Sequence, residues 1–281
     1  MPRPATRRRS GYTKRPRRPA PCAPRLTDSA FPMIVNIAAY HFAAIAQPQA
    51  LIDALRPEAE ALQLRGSVLV AAEGINLFLA GSEDGIAGFL ALLRGDARFA
   101  GITVKYSRSE QVPFARLKFK LKREIISFRR DQSDPLQGRA PAVAPAQLAR
   151  WIAQGCDDDG RRLVLLDTRN REEVRHGTFA GALTLPIDRF TDLPAAIAAE
   201  QEALADAAVV SFCTGGIRCE KAALWLREHG LPQTVQLDGG ILGYFEQVGG
   251  YGYEGRCFVF DERVALDAQL QPLIDWPADA A

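Results

Sequence analysis

The chain has 281 residues, 47% of them apolar, and a formal net charge of +2, a globular composition with room for one or two domains. No apolar run approaches the roughly 18 residues of a membrane span. Its five cysteines are odd in number and scattered, and His41, His176 and His229 form no ligand pattern. A reduced, cytoplasmic protein without structural disulfides or a metal is therefore expected.

The near-neutral charge hides an asymmetry. Residues 1–32 carry nine basic residues against one acid, so the remainder has 26 basic and 32 acidic residues. This first segment is rich in Arg, Pro, Ala and Ser, lacks apolar periodicity, and is expected to be disordered. It reads as a basic arm for RNA, as a plain tail, or as sequence upstream of a true start at Met33.

From Met33 the pattern becomes periodic. Residues 34–40 read as a buried strand, 49–64 as a helix interrupted or kinked at Pro57, and 67–72 and 75–80 as strands. Ser82 caps a helix to about residue 93, with Glu83 and Asp84 in its first turn, and 102–106 is a fourth strand. The order β-α-β-β-α-β predicts a ferredoxin-like α+β domain over 33–130. Glu73 and Asn76 flank Gly74, either facing a substrate or closing a turn with Asn in a left-handed conformation.

Residues 94–130 hold eleven basic residues and three acids. In the run from Arg116 through Lys118 and Lys120 to Lys122 the cations alternate with apolar residues, so a strand would present them on one face. That face, with Arg123, is a candidate for RNA phosphates, and solvated edge-strand lysines are the plainer alternative. Residues 131–145, with Pro135, Gly138, Pro141 and Pro145, read as a linker.

The second domain is placed over 146–255. Pro145 opens a helix over 146–154. Residues 163–166 form a strand leading into Asp167, Thr168 and Arg169, followed by Glu172, Glu173 and a turn at Gly177. His176 is read as surface-exposed on that turn. A helix is expected over 192–203 and strands over 208–212 and 234–237. Short apolar strands alternating with helices predict an α/β domain, a central parallel sheet covered on both faces.

After the strand 208–212 comes a loop, Cys213, Thr214, Gly215, Gly216, Ile217 and Arg218, and then a helix expected over 219–229. Backbone N–H groups, a helix N-terminus and the Arg218 charge converge there, stabilising a thiolate or persulfide at Cys213. Gly215 and Gly216 supply positive φ angles. Cys219 reads either as a partner thiol for Cys213 or as a buried structural one. The loop is shorter than a cysteine phosphatase needs around phosphate.

This loop resembles the active-site loop of the rhodanese family, opened by a persulfide-forming cysteine. The longer string Cys213-Thr214-Gly215-Gly216-Ile217-Arg218-Cys219-Glu220-Lys221-Ala222 is similar to the tRNA uridine-34 hydroxylase family. So are Asn36-Ile37-Ala38-Ala39-Tyr40, Ala72-Glu73-Gly74-Ile75-Asn76 and Cys257-Phe258-Val259-Phe260-Asp261. Asp167-Thr168-Arg169 with the Gly177 turn, and Gly239-Gly240, resemble rhodanese signatures that support the site. The resemblance implies oxygen-dependent conversion of uridine 34 to 5-hydroxyuridine in a tRNA anticodon loop, with Cys213 essential and molecular oxygen as co-substrate. Longer family members carry a cysteine-containing tail, whereas no cysteine follows Cys257 in the expected extension 256–281.

The residues alone argue sulfur chemistry, because no G-x-G-x-x-G fingerprint and no cofactor site is identifiable. A rhodanese-type sulfurtransferase working through a Cys213 persulfide is the alternative, and a non-catalytic binding module is a third class. No protein partner and no membrane association are expected.

Overall fold

The computed structural model describes Met1 and residues 33–272. The basic segment, with Cys22, and the last part of the extension therefore lie outside the described residues. The first domain runs β1 (Ile34–Phe42), α1 (Pro48–Ala61), β2 (Arg65–Ala71), β3 (Gly74–Gly81), α2 (Glu83–Gly95), β4 (Val104–Ser109) and β5 (Leu117–Leu121). The sheet order is β4-β1-β3-β2-β5. The first four strands pair antiparallel, and β5 joins the β2 edge in parallel. This is the expected ferredoxin-like unit with one added strand.

Helix α1 continues through Pro57. Its buried residues Ile52, Leu55 and Ala59 lie on both sides of the proline, so packing carries the helix across the missing hydrogen bond. The Ser82 side chain accepts from the Gly85 N–H at 3.0 Å and starts α2, as its sequence suggests.

Strand alternation sorts the sheet into two faces. Val35, Ile37, Val68, Val70, Ile75 and Leu77 are buried in the core beneath α1 and α2. On the opposite face the register aligns Lys105, Ala38, Phe78, Ser67 and Lys118 across five strands. A second row holds Tyr40, Asn76, Leu69 and Lys120. Asn76 is thus a buried residue within β3, not a left-handed turn residue, and its Nδ2 donates to the Ile125 carbonyl at 3.1 Å.

The 131–145 stretch ends in structure. β6 (Ala142–Val143) enters the second sheet, and α3 (Pro145–Gln154) ends at Gly155 with φ of 72°. There follow β7 (Leu163–Asp167), α4 (Arg171–Val174), β8 (Gly177–Phe179), β9 (Leu183–Thr184), α5 (Leu193–Ile197), α6 (Gln201–Leu204), β10 (Ala208–Phe212), α7 (Ile217–Glu228), β11 (Thr234–Leu237) and α8 (Gly240–Val248). The sheet β6-β11-β10-β7-β9 is parallel throughout. Val210 and Phe212 pack against α3 and α8, while Val209 packs against α5 and α7, so both faces are covered.

The helix expected over 192–203 is two short pieces. Ala198 and Ala199 between them are exposed and bury nothing to hold one rod. The described part of the expected extension packs back on the second domain. β12 (Tyr253–Gly255) pairs with β8, and β13 (Cys257–Phe258) pairs with β14 (Ala265–Leu266). Cys257, Val259 and Leu266 are buried in the second core. Both sheets belong to one compact unit.

Candidate active site

Cys213 follows the last residue of β10, the central strand of the second sheet, and is fully buried. Its Sγ accepts from the Gly216 N–H at 3.2 Å. Gly216 caps α7 with φ of 101°, whereas Gly215 keeps a negative φ and has open space where a side chain would be. Only the second glycine is conformationally required, and the first leaves room. Helix α7 begins two residues earlier than its apolar spacing implies, so Arg218 belongs to its first turn. From below, the Ile241 and Leu242 N–H groups donate to the Cys213 and Thr214 carbonyls at 2.9 and 3.0 Å. A Cβ on Gly240 would lie 2.6 Å from the Cys213 carbonyl oxygen, so that turn also needs glycine.

Burial alone would raise the Cys213 thiol. The hydrogen bond from Cys219, the Arg218 charge and the backbone N–H groups of Cys219 and Arg218 outweigh it and bring the thiol down to about 5. Cys219 has the opposite fate. It is buried, its Sγ lies 3.8 Å from that of Cys213 and donates to the Gly216 carbonyl at 2.8 Å. Burial and the neighbouring sulfur hold it protonated. Of the two thiols, Cys213 is thereby the more acidic and Cys219 the one kept neutral.

Arg218 is fixed by Glu173, whose carboxylate accepts two of its N–H groups at 2.5 and 2.6 Å with the acid fully buried. Thr214 Oγ1 donates to the same carboxylate at 3.3 Å. Glu173 is presented by α4, where it and Asn170 form a reciprocal capping box. Asp167 and Arg169 form a second, fully buried pair at 2.7 Å. Arg169 also donates to the Gly177 carbonyl at 2.6 Å, and Thr178 donates to Asp167 at 2.8 Å. This pair ties the end of β7 to the Gly177 turn. His176 is half-buried, not surface-exposed, with its ring 5.1 Å from that of Phe258.

Cys213 opens into a cavity of about 580 Å³ lined by both domains, within the size range of small-molecule sites. The first domain contributes Tyr40, Phe78 and Lys105, and the second contributes the Cys213 loop and Phe260. Sequence patterns did not mark this shared wall. Tyr40 donates to Glu220 at 3.0 Å, and Arg139, from the stretch read as linker, holds the same acid at 2.7 Å. Burial first, then the Glu220 charge, keep the Tyr40 hydroxyl protonated. Lys221 is buried and donates to Glu73 at 2.8 Å and to Glu124 at 3.0 Å. Glu73 therefore joins the domains.

Of the basic candidates, Lys118 and Lys120 lie in β5, on the same sheet face as the cavity-lining Leu69 and Phe78, but neither lines the cavity itself. Arg116, Lys122 and Arg123 flank the strand and are exposed. Lys118 is half-buried and Lys120 exposed. The strand is a sheet edge, as the plainer reading of alternating lysines expects. Among the described residues, no group of three or more His, Cys, Asp or Glu is arranged to hold a metal ion, and no helix is long and apolar enough to cross a membrane.

Residues 34–125 match the family model described as a UPF0176 acylphosphatase like domain, and residues 145–247 match the rhodanese-like domain. The chain is 66% identical over 248 residues to the tRNA uridine(34) hydroxylase of Xanthomonas campestris pv. campestris (strain B100), covering 88% of this chain and 98% of the relative. It is 66% identical over 243 residues to the protein of that name in Xanthomonas euvesicatoria pv. vesicatoria (strain 85-10), covering 86% and 98%. For the one in Xylella fastidiosa (strain 9a5c) the identity is 60% over 243 residues, covering 86% and 95%.

Proposed function

Because this chain belongs to the tRNA uridine(34) hydroxylase family, we propose that it converts uridine 34 of tRNA to 5-hydroxyuridine in a two-domain cavity floored by Cys213. The observation that carries the reading is the placement of Cys213 and its loop on the wall of a cavity of about 580 Å³ whose other wall is the first domain's open sheet face. A nucleobase enters such a site only out of its stack, which is cheap in a single-stranded anticodon loop. The loop N–H groups and the Arg218 charge favour negative charge on sulfur without reorganisation. Cys213 is thus the redox-active sulfur of the site, as thiolate or persulfide.

Molecular oxygen is the co-substrate in this reading. Inserting one of its atoms at uridine C5 requires two electrons and two protons from elsewhere to take the other atom to water. Lys118 and Lys120, with Arg116, Lys122 and Arg123 beside them, hold phosphates of the strand leading into the cavity. Asp167 and Arg169 act as supports for the loops. The reaction takes place in the cytoplasm, with the tRNA.

A second reading, sulfur transfer through a Cys213 persulfide, is favoured by the depressed thiol alone, which needs nothing from the first domain. Nucleoside mass spectrometry separates the two. Bulk tRNA is taken from a host that lacks its own version of the gene and carries either this chain or Cys213→Ala. The expected result is 5-hydroxyuridine or its derivatives only with the intact cysteine. Unchanged tRNA with both chains, alongside substantial thiosulfate–cyanide turnover by the intact one, would favour sulfur transfer.

A further inference from the structure

Phe260 lines the cavity and is 56% exposed. A large aromatic left open on a cavity wall asks for a ligand. Its neighbours are fixed. Val259 is buried, and its N–H donates to the Val264 carbonyl at 2.8 Å. Asp261 is buried in an ion pair with Arg263, and Arg263 Nη1 donates to Ser107 Oγ of β4 at 2.6 Å. The turn is therefore clamped to both domains while the Phe260 ring projects from it. The Arg218 guanidinium lies 6.0 Å from its ring centroid, and the Phe258 ring meets it edge-on at 5.1 Å. Arg218 is also one of the groups that lower the Cys213 thiol, so the ring stands beside the reactive loop.

The other aromatic residues of the wall are less free. Tyr40, Phe42, Phe78 and Phe114 are half-buried, with the Tyr40 hydroxyl engaged by Glu220, and Tyr106, 45% exposed, pairs in register with the core residue Ile37 and so stands on the helix-covered side of the sheet. A base taken out of its stack needs a new aromatic face, and a rigidly held ring supplies one at little entropic cost.

We propose that Phe260 is the stacking platform for the extruded base, positioning it at the Cys213 loop. The inference rests on the tRNA reading above and adds to it the residue that receives the base. Neither charge nor hydrogen bonding at Phe260 enters, so its contribution depends on the base and not on the phosphates.

A double-mutant cycle isolates that dependence. The full chain, Phe260→Ala and Phe260→Tyr are titrated, at one fixed ionic strength, with an anticodon stem-loop RNA carrying either uridine or an abasic site at position 34. Phe260→Ala is expected to weaken the uridine RNA by about tenfold, the scale of one base–aromatic stack. It should change abasic RNA binding little, and Phe260→Tyr should bind both RNAs as the intact chain does. Equal weakening of the two RNAs by Phe260→Ala, or no weakening of either, would overturn the proposal. The tRNA of a host carrying the intact chain separates the two levels. If 5-hydroxyuridine is absent there, the tRNA reading falls and Phe260's role with it. If it is present, the cycle decides Phe260 alone.

Discussion

Arg218 and Lys221 stand one turn apart at the start of α7, both buried, yet their anions come from different halves of the molecule. Arg218 is held by Glu173 of the second domain, whose side chain is fully buried. Lys221 is held by Glu73 and Glu124 of the first, with side chains 16% and 22% exposed. Between them Glu220 receives Tyr40 and Arg139. The comparison teaches that a single helical turn divides its work. One side shapes the sulfur of Cys213, and the other fastens the sheet that completes the cavity. It also gives a physical reason for the string beyond the six-residue loop, since Glu220 and Lys221 are the residues that reach the first domain.

The largest effect is expected from breaking the inner pair. Glu173→Gln keeps the size of the side chain but leaves Arg218 buried without its anion. Removing one partner of such a pair costs about 3–5 kcal/mol. Denaturant unfolding should register a loss of that order together with loss of tRNA modification. A change under about 1 kcal/mol would mean that Arg218 finds another partner.

Breaking the outer cluster should cost less. In Lys221→Met both acids keep backbone donors, Ile125 N–H to Glu73 at 2.7 Å and Phe128 N–H to Glu124 at 2.7 Å, and both retain some access to water. We expect about 1–2 kcal/mol. Hydrogen exchange should quicken in the 124–128 segment and β3 while β10 stays protected. Equal loosening of β10 would dissolve the distinction between the two clusters.

The fold was legible where its signals are local. Ser82 with Glu83 and Asp84 marks the start of α2, Pro145 marks that of α3, and the six-residue loop puts Cys213 between a strand and a helix, where the structure has it. The cavity was not, because it depends on register between distant strands. Nothing in the alternation of 116–122 tells that Lys118 falls opposite Ser67, or that Lys105 lies at the far end of the same row. Glu220 and Lys221 carried no local sign of their role. Charges in a first turn suit a solvated helix end, and only the domain contact buries them. Arg139 was obscured by the prolines around it, and Phe260 by its place beyond the second sheet.

The inner cluster, independently of the outer one, favours the anionic form of Cys213. This is tested most directly by the pH dependence of Cys213 alkylation with iodoacetamide, followed on the Cys213 peptide by mass spectrometry. The thiolate is the reactive form, so the rate should climb across the thiol's midpoint and then level. With the thiol lowered to about 5, the intact chain and Lys221→Met should both reach their plateau by about pH 6–7, and Arg218→Met should need a higher pH. A midpoint near the ordinary thiol value of about 8.5 in the intact chain, or one that moves with Lys221 and not with Arg218, would contradict the account.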